Sequence, residues 1–407
     1  MKKGDSISVA VFGKKIDSLS SDHISDYEQC EYRMIFCEKN DNISDLIIKE
    51  NPNVFLSFGE WQEYENLSSA PFEVRSRWLN YNHDADLRLV GQDIIKCYMN
   101  NTLDAPRLEE PLVSLITPSY NIATRIFKTY ESLSRQTYKN WEWIILDDST
   151  DNNKTYNVLQ SMSAADHRIK VFKNSRHSGV IGNTKRNAFS LGNGEYLAEL
   201  DHDDELTDRC LEWVVKTFKK YPEAGMCYTD CSELIESTGD CVYYGETYAF
   251  GYGSYRKEEY KGREWLVSNY PKLNAKTVRH IVGVPNHIRV WRKNVYHALG
   301  GHNHKLHVAD DYELILRTFL YSKIAYIPKF GYIQHMLDDR PNTTDVRRKE
   351  IQRLVRYIRG YYDQMIHEKI LELGGTDFVW DESNKCSNMH TEQEKTKEYF
   401  CIISDVE

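Results

Sequence analysis

The stretch EYLAELDHDDEL, residues 195–206, is an apolar run that ends in a cluster of carboxylates. Asp201, Asp203 and Asp204 fall within four consecutive positions, with His202 among them. Carboxylates this close together repel one another and favour water, so the end of a buried strand is an unusual place for them. Asp-x-Asp spacing supplies the hard oxygen ligands that Mg²⁺ and Mn²⁺ prefer; the alternative is that Asp203 or Asp204 caps the following helix. We expect a divalent-cation site here.

Two earlier apolar runs also end in polar side chains. LVSLITPSYN ends at Thr117 to Asn121, and WEWIILDDST ends at Asp147 to Thr150. Strand-like and helix-like patterns alternate through residues 111–345, which predicts a parallel sheet with right-handed crossovers. Because ligands bind outside the carboxyl ends of such strands, we expect the three polar strand ends to converge on one binding edge.

The order of these segments resembles a known enzyme family. PLVSLITPSYN, SLSRQTYKNWEWIILDDST, GNTKRNAF, GEYLAELDHDD and VADDYELILRTF follow one another as in the family 2 glycosyltransferases of the GT-A fold. The resemblance covers roughly residues 111–345. It implies a Rossmann-like α/β catalytic domain with a mostly parallel sheet, a nucleotide-diphosphate sugar donor and Mn²⁺ or Mg²⁺ as cofactor. It also implies transfer to a hydroxyl of a glycan or other acceptor, usually with inversion, and a UDP-sugar is the favoured donor.

The resemblance also assigns roles to individual positions. It implies that the nucleotide sugar is bound by Thr117, Pro118, Tyr120, Asp147, Asp148, Lys185, Arg186, Asp201 and Asp204. Within that set, Asp147 corresponds to the acid that contacts a ring nitrogen of the nucleobase. The metal ligands would be Asp203 and Asp201, with His335 as a third ligand or, equally, as a structural histidine.

Inverting transfer needs a base on the face of the sugar opposite the leaving group, where it takes the proton of the attacking hydroxyl. The acidic pair in VADDYELILRTF supplies two candidates, and we expect Asp311 to be the base, with Asp310 as the alternative. The competing interpretation is that the two acids only stabilise a helix N-terminus. On the acceptor side the candidates are His287, Arg289 and Trp291, together with the tyrosine-rich segment 242–270, which could equally be a packed loop.

The chain divides into three expected regions. Residues 1–105 predict a small N-terminal α/β domain of unassigned role with a parallel sheet, and a polar stretch at 101–111 reads as a linker. Residues 106–345 form the expected GT-A domain. Residues 346–407 begin with an amphipathic helix whose first half is basic, followed by a tail. A solvated face is the simple interpretation of those cations; contact with an anionic acceptor or a membrane surface is the alternative.

Composition narrows the function classes. A net charge of −9 argues against nucleic acid as a partner, and no apolar run approaches the roughly 20 residues that span a bilayer. Nine scattered cysteines without a Cys-x-x-Cys pair, and no secretory signal, lead us to expect a cytoplasmic protein. The Gln-x-x-Arg-Trp motif of sugar-polymerising relatives is missing, so single-sugar transfer is expected. The alternatives are a catalytically inactive nucleotide- or glycan-binding module and a metal-dependent nucleotidyltransferase.

Overall fold

The computed structural model describes residues 6–14, 31–60, 63–70, 72–101, 110–243, 254–270, 273, 275–283, 285–336, 343–373 and 401–407. Most of the expected linker (102–109), the centre of the tyrosine-rich segment (244–253) and most of the expected tail (374–400) lie outside the described residues. None of the described helices combines the length and the apolar character that crossing a membrane requires.

The first part of the chain forms a small parallel sheet. Its strands are β1 (Ser6–Phe12), β2 (Glu31–Cys37), β3 (Val54–Phe58) and β4 (Trp78–Tyr81), in the order β2-β1-β3-β4. The helices of this region are α1 (Ile43–Glu50), α2 (Glu65–Ser68), α3 (Phe72–Arg75) and α4 (Leu87–Asn100). Apolar side chains are buried on both faces of the sheet, as parallel strands require. The expected N-terminal α/β fold is confirmed.

A second, larger sheet begins with four parallel strands. These are β5 (Val113–Ser119), β6 (Trp141–Asp147), β7 (Ile169–Lys173) and β8 (Tyr196–Glu199), in the order β7-β6-β5-β8. The helices α5 (Ile126–Ser134), α6 (Lys154–Ala165) and α7 (Ile181–Phe189) connect them. The strand order reverses between β5 and β8, and the crevice at such a reversal is where open α/β sheets bind ligands. The expected Rossmann-like sheet is confirmed.

The second sheet continues past β8 with strands of mixed direction. Along the chain these are β9 (Glu205–Leu206), β10 (Ala224–Ile235), β11 (Cys241–Val242), β12 (Tyr255–Tyr260), β13 (Arg263–Ser268), β14 (Arg289–Arg292), β15 (Lys323–Met336) and β16 (Cys401–Ile403). Strand β14 runs antiparallel to both β8 and β10, and β15 runs parallel to β10. The described part of the tyrosine-rich segment, 242–243 and 254–270, is therefore mainly the β12–β13 hairpin at the end of this sheet.

The remaining helices cover the second sheet. They are α8 (Cys210–Lys220), α9 (Ala275–His280), α10 (Lys293–Ala298), α11 (Asp310–Tyr321) and α12 (Thr343–Glu372), the last with a break in helical geometry at Arg347. Helix α12 is the expected C-terminal helix and packs against α11 and α9. The last described residues return to the sheet, where β16 pairs with β15.

A close backbone approach sets the distance between α7 and the loop that leads into α11. The amide of Gly182 donates to the carbonyl oxygen of Leu306 at 3.1 Å. A Cβ at Gly182 would lie 2.3 Å from the carbonyl oxygen of Asn303 and 2.9 Å from that of Leu306. Both obstacles are backbone atoms, so only glycine allows α7 to pack this closely on the loop.

We predict that Gly182→Ala lowers the free energy of unfolding by about 1–3 kcal/mol, the usual cost of overpacking, because the helix and the loop must separate. Denaturant unfolding followed by circular dichroism measures this. The matched control is Gly360→Ala on α12, where an added Cβ meets nothing within 4 Å. There, alanine should stabilise the helix by about 0.5–1 kcal/mol. A Gly182→Ala protein as stable as the control would contradict the close approach.

Candidate active site

A buried glutamate lies at the centre of a charged cluster. Glu199 ends the fully buried strand β8 and is 0% exposed. Arg289 faces it directly across the antiparallel strand β14, with its Nε 2.8 Å from Glu199 Oε2. Lys185, on α7, places its Nζ 2.5 Å from Glu199 Oε1. Two cations from different elements therefore compensate one buried carboxylate.

The same two cations reach the acidic pair at the start of α11. Lys185 Nζ lies 3.6 Å from Asp310 Oδ2, and Arg289 Nη1 donates to Asp311 Oδ2 at 2.8 Å. The Asp310 side chain is 4% exposed, whereas that of Asp311 is 30% exposed. The ammonium group of Lys185 thus pairs with Glu199 and Asp310, and its expected approach to the nucleotide stays a prediction.

The cluster continues to the acidic end of β8. His287 Nε2 lies 3.5 Å from Asp201 Oδ2 and 3.4 Å from Arg289 Nη2, and its ring stacks on Tyr332 with centroids 4.9 Å apart. The line Asp201–His287–Arg289–Asp311 thus joins two acidic motifs that are far apart in the sequence. Burial and the nearby guanidinium of Arg289 both lower the pKa of His287, which favours its neutral form.

The charges of this network perturb one another strongly. Burial alone would raise the pKa of Glu199, but Arg289 and Lys185 outweigh burial and hold that pKa well below its usual range. Burial disfavours charged Lys185 and Arg289, yet the surrounding carboxylates raise the pKa of both. Burial raises the pKa of Asp310 to about 6 in spite of Lys185. Burial acts in the same direction on Asp311, but Arg289 and Lys185 lower its pKa to about 2.

The third acid of the DHDD run, Asp204, points into the protein. It is 2% exposed, Tyr332 Oη donates to its Oδ2 at 2.7 Å, and the His335 amide donates to its Oδ1 at 2.8 Å. The imidazole of His335 lies 3.0 Å from Glu205 through Nε2 and 3.0 Å from Glu236 through Nδ1. Asp204 thus anchors β15, and its expected contact with the nucleotide sugar stays a prediction. Both ring nitrogens of His335 face carboxylates outside the Asp-x-Asp pair, so its metal role stays a prediction.

Asp201 and Asp203 remain as the carboxylates that could hold a cation. Their side chains are 36% and 26% exposed; His287 Nε2 lies 3.5 Å from Asp201 Oδ2, and His202 Nε2 lies 3.9 Å from Asp203 Oδ2. Across the described residues, no three or more His, Cys, Asp or Glu side chains form a group that could hold an ion. Two accessible hard ligands fit a Mg²⁺ or Mn²⁺ ion whose other positions are filled by substrate phosphates and water.

The neighbouring strand ends form a second part of the crevice. Asp147, at the end of β6, is 0% exposed and has no hydrogen-bond partner at Oδ2, while Ser149 donates to its Oδ1. Burial raises the pKa of Asp147, although the Ser149 hydrogen bonds oppose that shift. Tyr120 is 43% exposed, with its ring 5.2 Å from that of His177 and its Oη 3.2 Å from Thr150 Oγ1. An unpartnered acceptor beside exposed aromatic rings suits a flat heterocycle with an N–H donor.

The other predicted residues of the first strand have structural contacts. Thr117 is completely buried; its Oγ1 donates to the Leu200 carbonyl oxygen at 2.7 Å and accepts from Trp143 Nε1 at 2.8 Å. Its side chain ties β5 to the end of β8, and its expected part in cradling the nucleobase stays a prediction. Pro118 is partly exposed, and its carbonyl oxygen lies 3.2 Å from His202 Nδ1.

Asp148 holds the segment that precedes α7. Its carboxylate accepts from Asn174 Nδ2 at 2.7 Å and from the Ser178 amide at 2.9 Å. This buried carboxylate shapes one wall of the crevice, and a direct nucleotide contact for it stays a prediction. Arg186 places Nη1 3.0 Å from His304 Nδ1, on the side of α7 that faces the α11 loop.

The expected acceptor residues fall into two groups. Trp291 is 0% exposed, donates from Nε1 to Thr318 Oγ1 at 3.0 Å and packs edge-on against Phe189. It is a core residue, so its placement corrects the expectation of an acceptor contact. His287 and Arg289 are also buried, and they belong to the charged network between Asp201 and Asp311.

The sequence interpretation missed Glu199 and His302. His302 is completely buried, with its Nε2 3.8 Å from Asp310 Oδ2 and its Nδ1 2.7 Å from Tyr296 Oη. A signal for Glu199 was present, because a charged residue inside the apolar run YLAEL implies a buried partner. For His302 the sequence carries no comparable signal.

Comparison with known proteins finds similarity over part of this chain. Residues 114–300 match the family model described as Glycosyl transferase family 2. Hyaluronan synthase from Pasteurella multocida is 26% identical over 273 residues, which is 67% of this chain and 24% of that protein. The Escherichia coli protein named UDP-Glc:alpha-D-GlcNAc-diphosphoundecaprenol beta-1,3-glucosyltransferase WfgD is 36% identical over 97 residues, 24% of this chain and 37% of that protein. The matched part of the chain thus spans about a quarter of the length of the hyaluronan synthase and just over a third of the length of the glucosyltransferase.

Among solved structures, the S. aureus TarS fragment 1–349 in complex with UDP-GlcNAc aligns with a TM-score of 0.45 and 16% identity. The alignment covers 63% of this chain and 70% of that one.

We predict that Arg289→Met lowers the free energy of unfolding by about 3–5 kcal/mol, because Glu199 loses one of its two cations and Asp311 loses its partner. The measurement is denaturant unfolding at neutral pH. Arg348→Met, at an exposed position of α12, is the matched control and should change stability by less than about 0.5 kcal/mol. Equal effects of the two substitutions would exclude the network as a structural requirement.

Proposed function

We propose that this chain, whose residues 114–300 match the family model described as Glycosyl transferase family 2, transfers a single sugar, with inversion, from a nucleotide-diphosphate sugar to a hydroxyl group of a glycan or other acceptor. The observation that carries this proposal is the continuous line Asp201–His287–Arg289–Asp311. It links the acids beside the crevice between β5 and β8 to an acid at the start of α11. One acidic group then faces the diphosphate while another faces the acceptor.

A UDP-sugar is the donor that we favour. The unpartnered Oδ2 of Asp147 can accept a hydrogen bond from the N–H of a uracil ring, and the ring of Tyr120 offers a face for stacking. The Escherichia coli relative is named for transfer from a UDP sugar, which supports the same choice. The strand β6 that carries Asp147 is two strands from β8, or about 10 Å, a distance that a nucleoside diphosphate can span.

Asp201 and Asp203 would hold Mg²⁺ or Mn²⁺. When bound, such an ion neutralises the charge that develops on the departing diphosphate. Because both side chains are partly exposed, phosphate oxygens and water can reach the ion and complete the ligand set. The neutral form of His287, whose pKa is lowered, keeps a positive charge out of this position.

We assign the base to Asp311. Its carboxylate is 30% exposed, whereas the carboxylate of Asp310 is 4% exposed and pairs with Lys185. The acceptor hydroxyl gives its proton to Asp311 while its oxygen forms a bond to the anomeric carbon. The bond from that carbon to the phosphate oxygen breaks, and the nucleoside diphosphate leaves with the electron pair. Arg289 orients the Asp311 carboxylate and keeps it ionised, so it acts as a positioning residue.

We predict that Asp311→Asn lowers kcat for sugar transfer by about 10²- to 10⁴-fold while the affinity for UDP stays within about twofold, because the amide keeps the shape but cannot take a proton. Release of nucleoside diphosphate from a panel of donors measures turnover, and calorimetry measures UDP binding. Release of pyrophosphate instead would identify a nucleotidyltransferase, and no turnover with any donor would favour a binding module.

The pH profile separates the two acids. A base with a pKa of about 2 must stay ionised through the acid range, so kcat/KM should remain level as the pH falls through 6. A base with the pKa of Asp310, about 6, would lose its activity about tenfold per pH unit below that value. An acid limb near 6, with Asp310→Asn the more damaging substitution, would move the assignment to Asp310.

We predict that Asp203→Asn weakens the Mn²⁺-dependent part of UDP binding by at least about tenfold, since one of two carboxylate ligands is lost. Calorimetric titration of UDP with Mn²⁺ and with chelator measures this part without any turnover. Asp240→Asn, at an exposed position before β11, is the control and should leave UDP binding unchanged. UDP affinity that is the same with Mn²⁺ and with chelator in the unmodified protein would argue against the cation site.

A further inference from the structure

Helix α12 carries a line of exposed side chains that the proposed reaction does not use. Lys349, Arg353, Tyr357, Tyr361 and Met365 are spaced four residues apart, so each lies next to the following one and the five form a ridge that winds through about 160° of the helix surface. Tyr357 is 71% exposed, Tyr361 is 73% exposed and Met365 is 36% exposed. We call these five residues the α12 stripe. It presents two cations followed by three large, mostly apolar side chains to the solvent.

The opposite face of α12 fixes the direction of the stripe. The side chains of Val355, Ile358, Ile366 and Ile370 are buried in the main core. Tyr362, between them, donates from Oη to Glu313 Oε1 on α11 at 2.6 Å. Because this face is anchored in the protein, the helix cannot rotate to bury the stripe without losing its own core contacts.

The charge around the stripe is opposite to that of the protein. The chain has a net charge of −9, yet residues 346–365, which contain the whole stripe, hold six Arg or Lys residues and two acids, Glu350 and Asp363. Glu350 pairs with Arg347 at 2.8 Å, and Asp363 Oδ1 lies 3.4 Å from Arg279 Nε. Exposed Arg348 and Arg356 add to the cations of the stripe itself. A local positive field on an acidic protein selects an anionic partner.

From these features we propose that the α12 stripe binds an anionic membrane surface. Lysine and arginine are attracted to acidic lipid headgroups, and tyrosine is a side chain that places an apolar ring and a polar tip at the membrane interface. A soluble polyanion would need the cations but not the exposed methionine. Helix α12 packs directly on α11, so docking would hold the first residues of α11 about one helix layer, roughly 10 Å, from the lipid surface.

Co-sedimentation with vesicles tests the proposal on the full chain without donor or acceptor, so its result does not depend on the proposed activity. The vesicles contain either phosphatidylcholine alone or phosphatidylcholine with phosphatidylglycerol. We expect binding to the second kind only, and weaker binding as salt rises. Lys349→Gln with Arg353→Gln should lower the partition coefficient about fivefold for each charge removed. Tyr357→Ser with Tyr361→Ser should lower it by about tenfold or more.

The matched controls remove the same side-chain types elsewhere. Tyr321→Ser, at a position of α11 that is 54% exposed, and Arg88→Gln, at an exposed position of α4, should leave binding unchanged. The proposal is overturned if the unmodified chain ignores anionic vesicles, or if the controls weaken binding as much as the stripe variants. It is also overturned if only the charges matter, since a polyanion would then suffice. The unmodified chain could instead form a dimer and not bind vesicles. If Tyr357→Ser with Tyr361→Ser then dissociates that dimer, the face is assigned to a second copy of the chain.

Discussion

The buried carboxylate of Glu199 is the constraint on which the rest of the site depends. An ionised carboxylate in the middle of a sheet is costly unless it is paired and hydrogen-bonded. Here the compensation comes from Lys185 on α7 and Arg289 on β14, neither of which is near Glu199 in the sequence. Strand β14 must therefore pair with β8 in the observed register, and α7 must approach the sheet closely. Both cations then also determine where the first turn of α11 lies.

The same network gives two adjacent acids different properties. Asp310 points inward to Lys185, and Asp311 points to Arg289 and is partly open to solvent. Two neighbouring carboxylates disfavour ionising together, so the one with the better cation and more solvent takes the charge more readily. Burial dominates at Asp310 and raises its pKa, whereas the guanidinium dominates at Asp311 and lowers it. A division of roles between them is thus set by their partners and not by their residue type.

The sequence predicts the parts of this architecture that depend on local pattern. Buried runs, helical spacing and polar strand ends identify β5, β6 and β8 and the parallel part of the second sheet that they form, because these features repeat within short windows. The sequence does not predict which side chains meet when two distant strands pair in antiparallel orientation. Glu199 and Arg289 face each other only because β14 returns beside β8, and that same return buries Trp291 in the core. The partner of Asp204 could not be predicted for a similar reason, since Tyr332 arrives on β15.

The backbone before α11 shows how far tertiary contacts override local preference. Ala309 precedes the helix with φ of 59°, a left-handed conformation that costs a residue with a Cβ about 1–2 kcal/mol. Glycine would adopt this conformation without that cost, but the residue here is alanine. Contacts made by the neighbouring residues must therefore impose the conformation. Two sets of contacts impose it. The preceding loop packs against Gly182. On the other side, Lys185 pairs with Asp310 and Arg289 pairs with Asp311. Strain at this turn is tolerated because the charged network fixes both acids, and it is found beside the residue to which we assign the chemistry.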